Sequence, residues 1–164
     1  MHQVGSELLG RLFDEHSAAL VLCARQWCEW PEDVVQESFI ALARQRRLPD
    51  RIVPWLYRVV RNGAIAAARG ARRRRRREAL VSPGEAWFAA TDDRIDAQHA
   101  TKLLGELDPQ TREVIVARLW GGLTFEEIAR LVGSSLSTVH RQYQAGLNRL
   151  QERLEHPWTH LNAT

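Results

Sequence analysis

The chain has 164 residues, enough for one ordinary domain or two small ones. Its 23 Lys+Arg against 20 Asp+Glu leave a net charge of +3, a bland average that hides a very uneven distribution. No apolar stretch reaches the length of a membrane span and the N-terminus carries no signal-like pattern, so a cytoplasmic chain without membrane insertion is expected.

The opening segment, from Gly5 to about Cys28, repeats Leu8, Leu9, Leu12, Phe13, Leu20 and Cys23 at helical spacing. Cys23 and Cys28 have no second pair of Cys or His ligands at matching spacing, so buried thiols in a reducing compartment are expected, with no metal and no cofactor. Trp30-Pro31 restarts the chain. Pro31 suits a first helical position, and Glu32 and Asp33 favour the positive end of the helix dipole. The helix runs to about Gln45 with Val35, Phe39 and Leu42 on one buried face. Asp33, Gln36, Glu37 and Ile40, at i, i+3, i+4 and i+7, form an acidic edge that fits either a protein interface or a solvated face.

After a polar connection with Pro49-Asp50, Pro54 is expected to open a third helix with the apolar stripe Leu56, Val59, Val60, Gly63 and Ala67. The run from Arg72 to Arg77 is expected to fray it, because neighbouring like charges repel. At 100° per residue, Arg58, Arg61, Arg69 and Arg72 fall within about 80° of one another, opposite much of that stripe. Such a face suits a DNA backbone, although a solvated basic face has the same pattern; Trp55 reads as core.

Ser82-Pro83-Gly84, then Trp87, Phe88 and Asp92-Asp93, mark a linker over about 80–96. A second domain follows over 97–155. Asp108-Pro109 is a helix start, and Val114, Ile115, Leu119 and Trp120 are its expected buried face up to Gly121-Gly122. Thr124-Phe-Glu-Glu127 is a capping box, Gly133 the turn, and Ser135 the cap of a last helix to about Leu154. Its expected buried stripe is Leu136, Val139, Tyr143, Leu147, Leu150 and Leu154. That stripe leaves Ser137, Thr138, His140, Arg141 and Gln144 on outward or flanking positions, side chains suited to base edges and phosphates in a major groove. The fold expected is all-α: two small helical domains, 5–79 and 97–155, joined by a flexible linker. No glycine-rich phosphate loop, metal cluster or nucleophile–base set is visible, so catalysis is not expected.

Pro31-Glu-Asp-Val-Val-Gln-Glu-Ser-Phe39 with Trp55-Leu-Tyr-Arg-Val-Val-Arg-Asn62 resembles region 2 of bacterial extracytoplasmic-function sigma factors. Leu107-Asp-Pro-Gln-Thr-Arg-Glu-Val114 with Gly122-Leu-Thr-Phe-Glu-Glu-Ile-Ala129 resembles region 4 of the same family, and the two occur in the family's order. The resemblance implies that Asp33, Gln36 and Glu37 face core RNA polymerase, at the clamp helices of its largest subunit. It implies that Arg58, Arg61, Asn62 and Arg69 meet the −10 element of promoter DNA, and that Ser137, Thr138, His140, Arg141 and Gln144 lie at the −35 element. An anti-sigma protein, if this chain has one, would act at Trp87, Phe88 and the linker. Ala66 departs from an acidic residue frequent in the family, and the short connection before Pro54 lacks an aromatic for capturing a flipped −10 base. The rival readings are a stand-alone helix-turn-helix regulator, which leaves the acidic helix unexplained, and a basic RNA-binding or adaptor protein.

Overall fold

A computed structural model describes residues 5–78 and 95–155, and every regular element among them is a helix. The first module is α1 (Ser6–Ala24), α2 (Pro31–Ala43) and α3 (Ile52–Arg77). The second is α4 (Ile95–Gly105), α5 (Pro109–Ile115) with a π-helical turn continuing it over Val116–Trp120, α6 (Phe125–Val132) and α7 (Leu136–Glu155). The linker residues between the modules, Trp87 and Phe88 included, lie outside the described residues.

In the first module Leu20, Cys23, Val35, Phe39, Leu42, Leu56 and Val60 bury as their spacing requires. Phe13 stays 40% exposed yet meets Phe39 edge-to-face at 5.1 Å. Gly63 lets α2 approach α3: a Cβ there would stand 3.1 Å from Val34 Cγ1. Helix α3 begins at Ile52, two residues before Pro54, and does not fray in the arginine run; it stays helical through Arg77. Arginine is a good helix former, and four arginines in the last turn complement the negative end of the dipole. Arg75 also reaches Glu29 at 3.8 Å.

Local signals in the second module act as written. Asp108 accepts from Thr111 N–H at 3.0 Å, and both hydrogen bonds of the Thr124–Glu127 capping box form. Gly133 takes φ 68°, the left-handed geometry that closes α6, and Ser135 Oγ accepts from the Thr138 N–H at 3.2 Å. Arg112, buried, donates to the carbonyls of Leu104 (2.8 Å) and Leu107 (2.7 Å), tying the end of α4 to α5.

Two expected faces need correction. Leu119 and Trp120 are 48% and 41% exposed, while Val116 and Ala117 are buried in their place. The π-turn is the cause: Gly121 N–H bonds Val116 O across five residues, so each later side chain is rotated off the α-helical face. In α7, Val139 is buried and Tyr143, Leu147 and Leu150 pack against the core, but Leu136 and Leu154 at its ends are 41% and 58% exposed. Gly146, midway, sits against α5, where a Cβ would come within 2.7 Å of Ile115 and 2.8 Å of Thr111.

The modules share a seam. Tyr57 of α3 is fully buried with its ring over Gly121, whose hypothetical Cβ would stand 2.5 Å from Tyr57 Cζ. The π-turn also packs on α1, and α6 on α3.

Candidate nucleic-acid interface

Helix α7 presents its outer edge to solvent. Ser137, His140, Arg141 and Gln144 are exposed and Thr138 is half-buried at the N-terminal end of the helix. The edge is locally ordered: Ser135 donates to Thr138 Oγ1 at 2.8 Å and lies 3.1 Å from Ser137 Oγ. The His140 ring lies on Phe125 at 4.0 Å between centroids, and Phe125 in turn meets Tyr143 and the Arg118 guanidinium. One side of the edge is therefore an aromatic and cationic support, and Arg141 and Gln144 stand free beyond it. A helix held by a capped partner helix and a left-handed glycine turn, with its first turns projecting polar side chains, is the helix-turn-helix geometry that enters a major groove.

The basic helix divides the four residues assigned to it. Arg58, Asn62 and Arg69 are exposed. Arg61 is not: its side chain is 21% exposed and forks onto the Glu113 carboxylate of α5, with Trp27 beneath the guanidinium at 5.4 Å. Burial pushes the Glu113 carboxyl above its usual range, and Arg61 draws part of that back. A second ion pair joins the modules nearby, between Arg51 and Glu127 Oε1. The other oxygen of Glu127 accepts from Thr124 N–H at 2.9 Å in the capping box, so one carboxylate serves both the cap and the seam. At this second pair lies a cleft of about 330 Å³, with Arg51, Trp55 and Arg58 on one side and Glu127, Arg130 and Leu131 on the other. Trp55 is thus partly core and partly cleft wall.

The acidic edge of α2 is open. Asp33, Gln36, Glu37 and Ile40 are all exposed, on the side of the helix opposite its buried Val35, Phe39 and Leu42. Both cysteines are free and buried; burial raises the Cys23 thiol far above its usual range and pushes Cys28 up to about 11, so neither is a thiolate at neutral pH. Among the described residues no group of three or more His, Cys, Asp or Glu is placed to hold a metal, and no helix is long and apolar enough to cross a membrane.

Glu113, Glu127 and Arg51 are the residues that sequence reasoning missed. Glu113 carried a signal, a carboxylate beside Thr111, Val114 and Ile115 on a face otherwise destined for burial. Glu127 carried none, because the capping box already accounted for it.

A chain that joins an open acidic helix, a long basic helix and a helix-turn-helix belongs to the class of multi-surface transcription factors. The family model for sigma-70 region 4 matches residues 99–150. The chain is 32% identical over 135 residues to the RNA polymerase sigma factor CarQ of Myxococcus xanthus, covering 75% of this chain and 74% of the relative. It is 30% identical to the ECF RNA polymerase sigma factor SigE of Mycolicibacterium smegmatis, across 75% of this chain and 51% of that longer protein. The fold is also that of two solved structures. CnrH in complex with the cytosolic domain of CnrY matches at TM-score 0.59 and 25% identity, over 93% of this chain and 90% of that one. The sigma factor RpoE in complex with the anti-sigma factor NepR from Bartonella quintana matches at 0.64 and 22%, over 92% and 98%. This chain belongs to the RNA polymerase sigma factors of the sigma-70 family, in the extracytoplasmic-function group. The similarity extends well beyond the second module, which disfavours the stand-alone regulator.

Proposed function

We propose a division of labour among three surfaces in transcription initiation. The first module (5–79) holds core RNA polymerase through Asp33, Gln36 and Glu37 and meets the −10 element through Arg58, Arg61, Asn62 and Arg69. The second module (97–155) reads the −35 element through Ser137, Thr138, His140, Arg141 and Gln144, and residues 80–96 link the two. The carrying observation is that the acidic edge of α2 and the polar edge of α7 are both exposed, on separate modules of one chain. Carboxylates repel phosphate, so the α2 edge is the wrong chemistry for DNA and the right one for a protein. The chain acts in the cytoplasm and without catalysis: promoter opening draws on binding, since stacking of a base on protein contributes about 1–3 kcal/mol beside phosphate contacts.

The test is binding of the purified chain to core RNA polymerase beside an Asp33→Ala/Glu37→Ala variant. Tight binding by the wild type, reduced at least tenfold in the variant with duplex binding retained, is the expected result. Equal binding by both removes α2 as the docking edge.

A further inference from the structure

We infer that the C-terminal end of α3 is a second DNA-contact segment, in which Arg72, Arg73 and Arg76 grip the phosphates of double-stranded DNA without reading its sequence. The inference deepens the proposed function and rests on the placing of α3 against the −10 element. The buried residues of α3 are Leu56, Tyr57, Val60 and Ala64, and past Ala64 none is buried. Residues 65–77 therefore extend the helix by about 20 Å that the core does not use. That length is composed of Ala, Gly, Ile and Arg alone. Within it Arg69 with Arg73, and Arg72 with Arg76, are like-charge pairs at i, i+4, which weaken a helix in isolation. A segment that stays helical without burial and against its own charge suits a polyanion, which relieves the repulsion on binding.

The side on which these arginines stand decides the partner. At 100° per residue, Arg69, Arg72, Arg73 and Arg76 lie within about 60° of Arg58, on the side that also carries Asn62. All six are exposed, and the stripe they form runs about 27 Å from Arg58 to Arg76. Ile65, half-buried at the same azimuth, divides it into two parts of different chemistry. The first part has the Trp55 ring and the Asn62 amide beside Arg58, groups that can stack on a base or bond its edge. The second offers guanidinium groups only and has no ring on which an unpaired base could stack. It therefore fits DNA that is still paired, whose outer surface carries one phosphate charge per about 1.7 Å. The rest of the run lies off this stripe. Arg74 and Arg77 stand about 100–160° from Arg58, and Arg75 is drawn to Glu29 at 3.8 Å. An acidic protein surface could meet any side of such a collar, whereas DNA laid along α3 meets the one shared with Arg58 and Asn62.

The experiment titrates the full chain against two unrelated mixed-sequence duplexes of about twenty base pairs, without promoter elements, over a series of salt concentrations. Each phosphate contact contributes about 0.9 to the slope of log affinity against log salt. Arg72→Gln/Arg76→Gln is expected to lower that slope by about two on both duplexes, and affinity near 0.1 M salt by about tenfold. Arg74→Gln/Arg77→Gln removes the same charge from the other side of the run, and its slope is expected to change less than about half as much. Glutamine is a helix former comparable to arginine, so both variants keep α3 helical. Equal changes in the two variants, or none in either, overturn the inference, as does a loss confined to one duplex. An RNA hairpin held more tightly than either duplex, and released by Arg72→Gln/Arg76→Gln, overturns it in favour of RNA. In the same series Arg58→Ala/Asn62→Ala is titrated against a −10 sequence presented as a single-stranded extension of a duplex. Affinity retained there removes the −10 role of α3, whereas its loss beside an unchanged slope for Arg72→Gln/Arg76→Gln removes the second segment alone.

Discussion

The two helices proposed to meet DNA carry similar chemistry in opposite states. Along α7, Arg141 and Gln144 project into solvent from a helix seated by Gly146 on α5 and steadied by His140 on Phe125. Along α3, Arg58 and Arg69 are equally exposed, yet Arg61 between them is withdrawn into an ion pair with the other module. What differs is the neighbour. The side of α7 that meets protein is mainly apolar, with Gln142 on Gln110 and Arg153 on Glu106 at its margins, and leaves Arg141 and Gln144 alone, whereas Tyr57 and Arg61, four residues apart on α3, put an apolar anchor and a cation on the same side. A helix whose buried and basic faces overlap cannot bury one without engaging the other.

The contrast can be broken from the side of the second module. Arg112→Ala removes the side chain that satisfies three carbonyls at the end of α4 and in the turn after it, and stability should fall by about 3 kcal/mol, read by thermal or denaturant unfolding. Duplex binding should weaken with it, since α5 is the seat of α7. A stability change near zero would mean that α7 is positioned without that tie. Arg141→Ala addresses readout without stability. It should cost about 2 kcal/mol of −35 duplex affinity in a titration at fixed salt, while affinity for core polymerase is unchanged. Equal loss of both would erase the separation of surfaces.

The smallest effect sharpens the local end of the comparison. Burial raises the Asp108 carboxyl, but hydrogen bonds from the Thr111 side chain and backbone, its own N–H and the Gln110 N–H together more than reverse this and hold it below its usual value. A depressed carboxyl stabilises the fold above its unfolded pKa, and that contribution disappears as pH falls through the lower folded value. Asp108→Ala should therefore cost about 1 kcal/mol at neutral pH, and less as the solution is made acidic. Asp108→Asn should keep most of the cap and flatten the acid limb of the unfolding curve. A variant whose acid limb matches the wild type's would assign that limb to other carboxylates.

What could be read from the chain was what is decided within one turn of it. Pro31, Asp108-Pro109, the Thr124–Glu127 box and Gly133 each act on backbone groups three or four residues away, and each stands where its local chemistry puts it. Val35, Phe39 and Leu42 followed from spacing alone. Leu119 and Trp120 did not, because both lie inside the π-turn, whose wider winding carries them off the expected face and leaves no residue signature. The unbroken helix through Arg77 runs against the fraying expected from repulsion, since propensity and the dipole outweigh it. For the candidate site, the polar edge of α7 and the exposed edge of α2 were legible as helical faces. The withdrawal of Arg61 was not, since its partner Glu113 lies 52 residues away and meets it only when the modules pack.

The π-turn over Val116–Trp120 also limits which changes in length this protein can accept. Removing one residue from it would restore ordinary α-helical register and swing Gly121 by about 100° away from Tyr57. Leu119 and Trp120 would turn with it, while the capping box and α7 beyond would keep their own local geometry. A single-codon deletion there would thus strike the joint between the modules harder than either module, uncoupling two halves that each still fold.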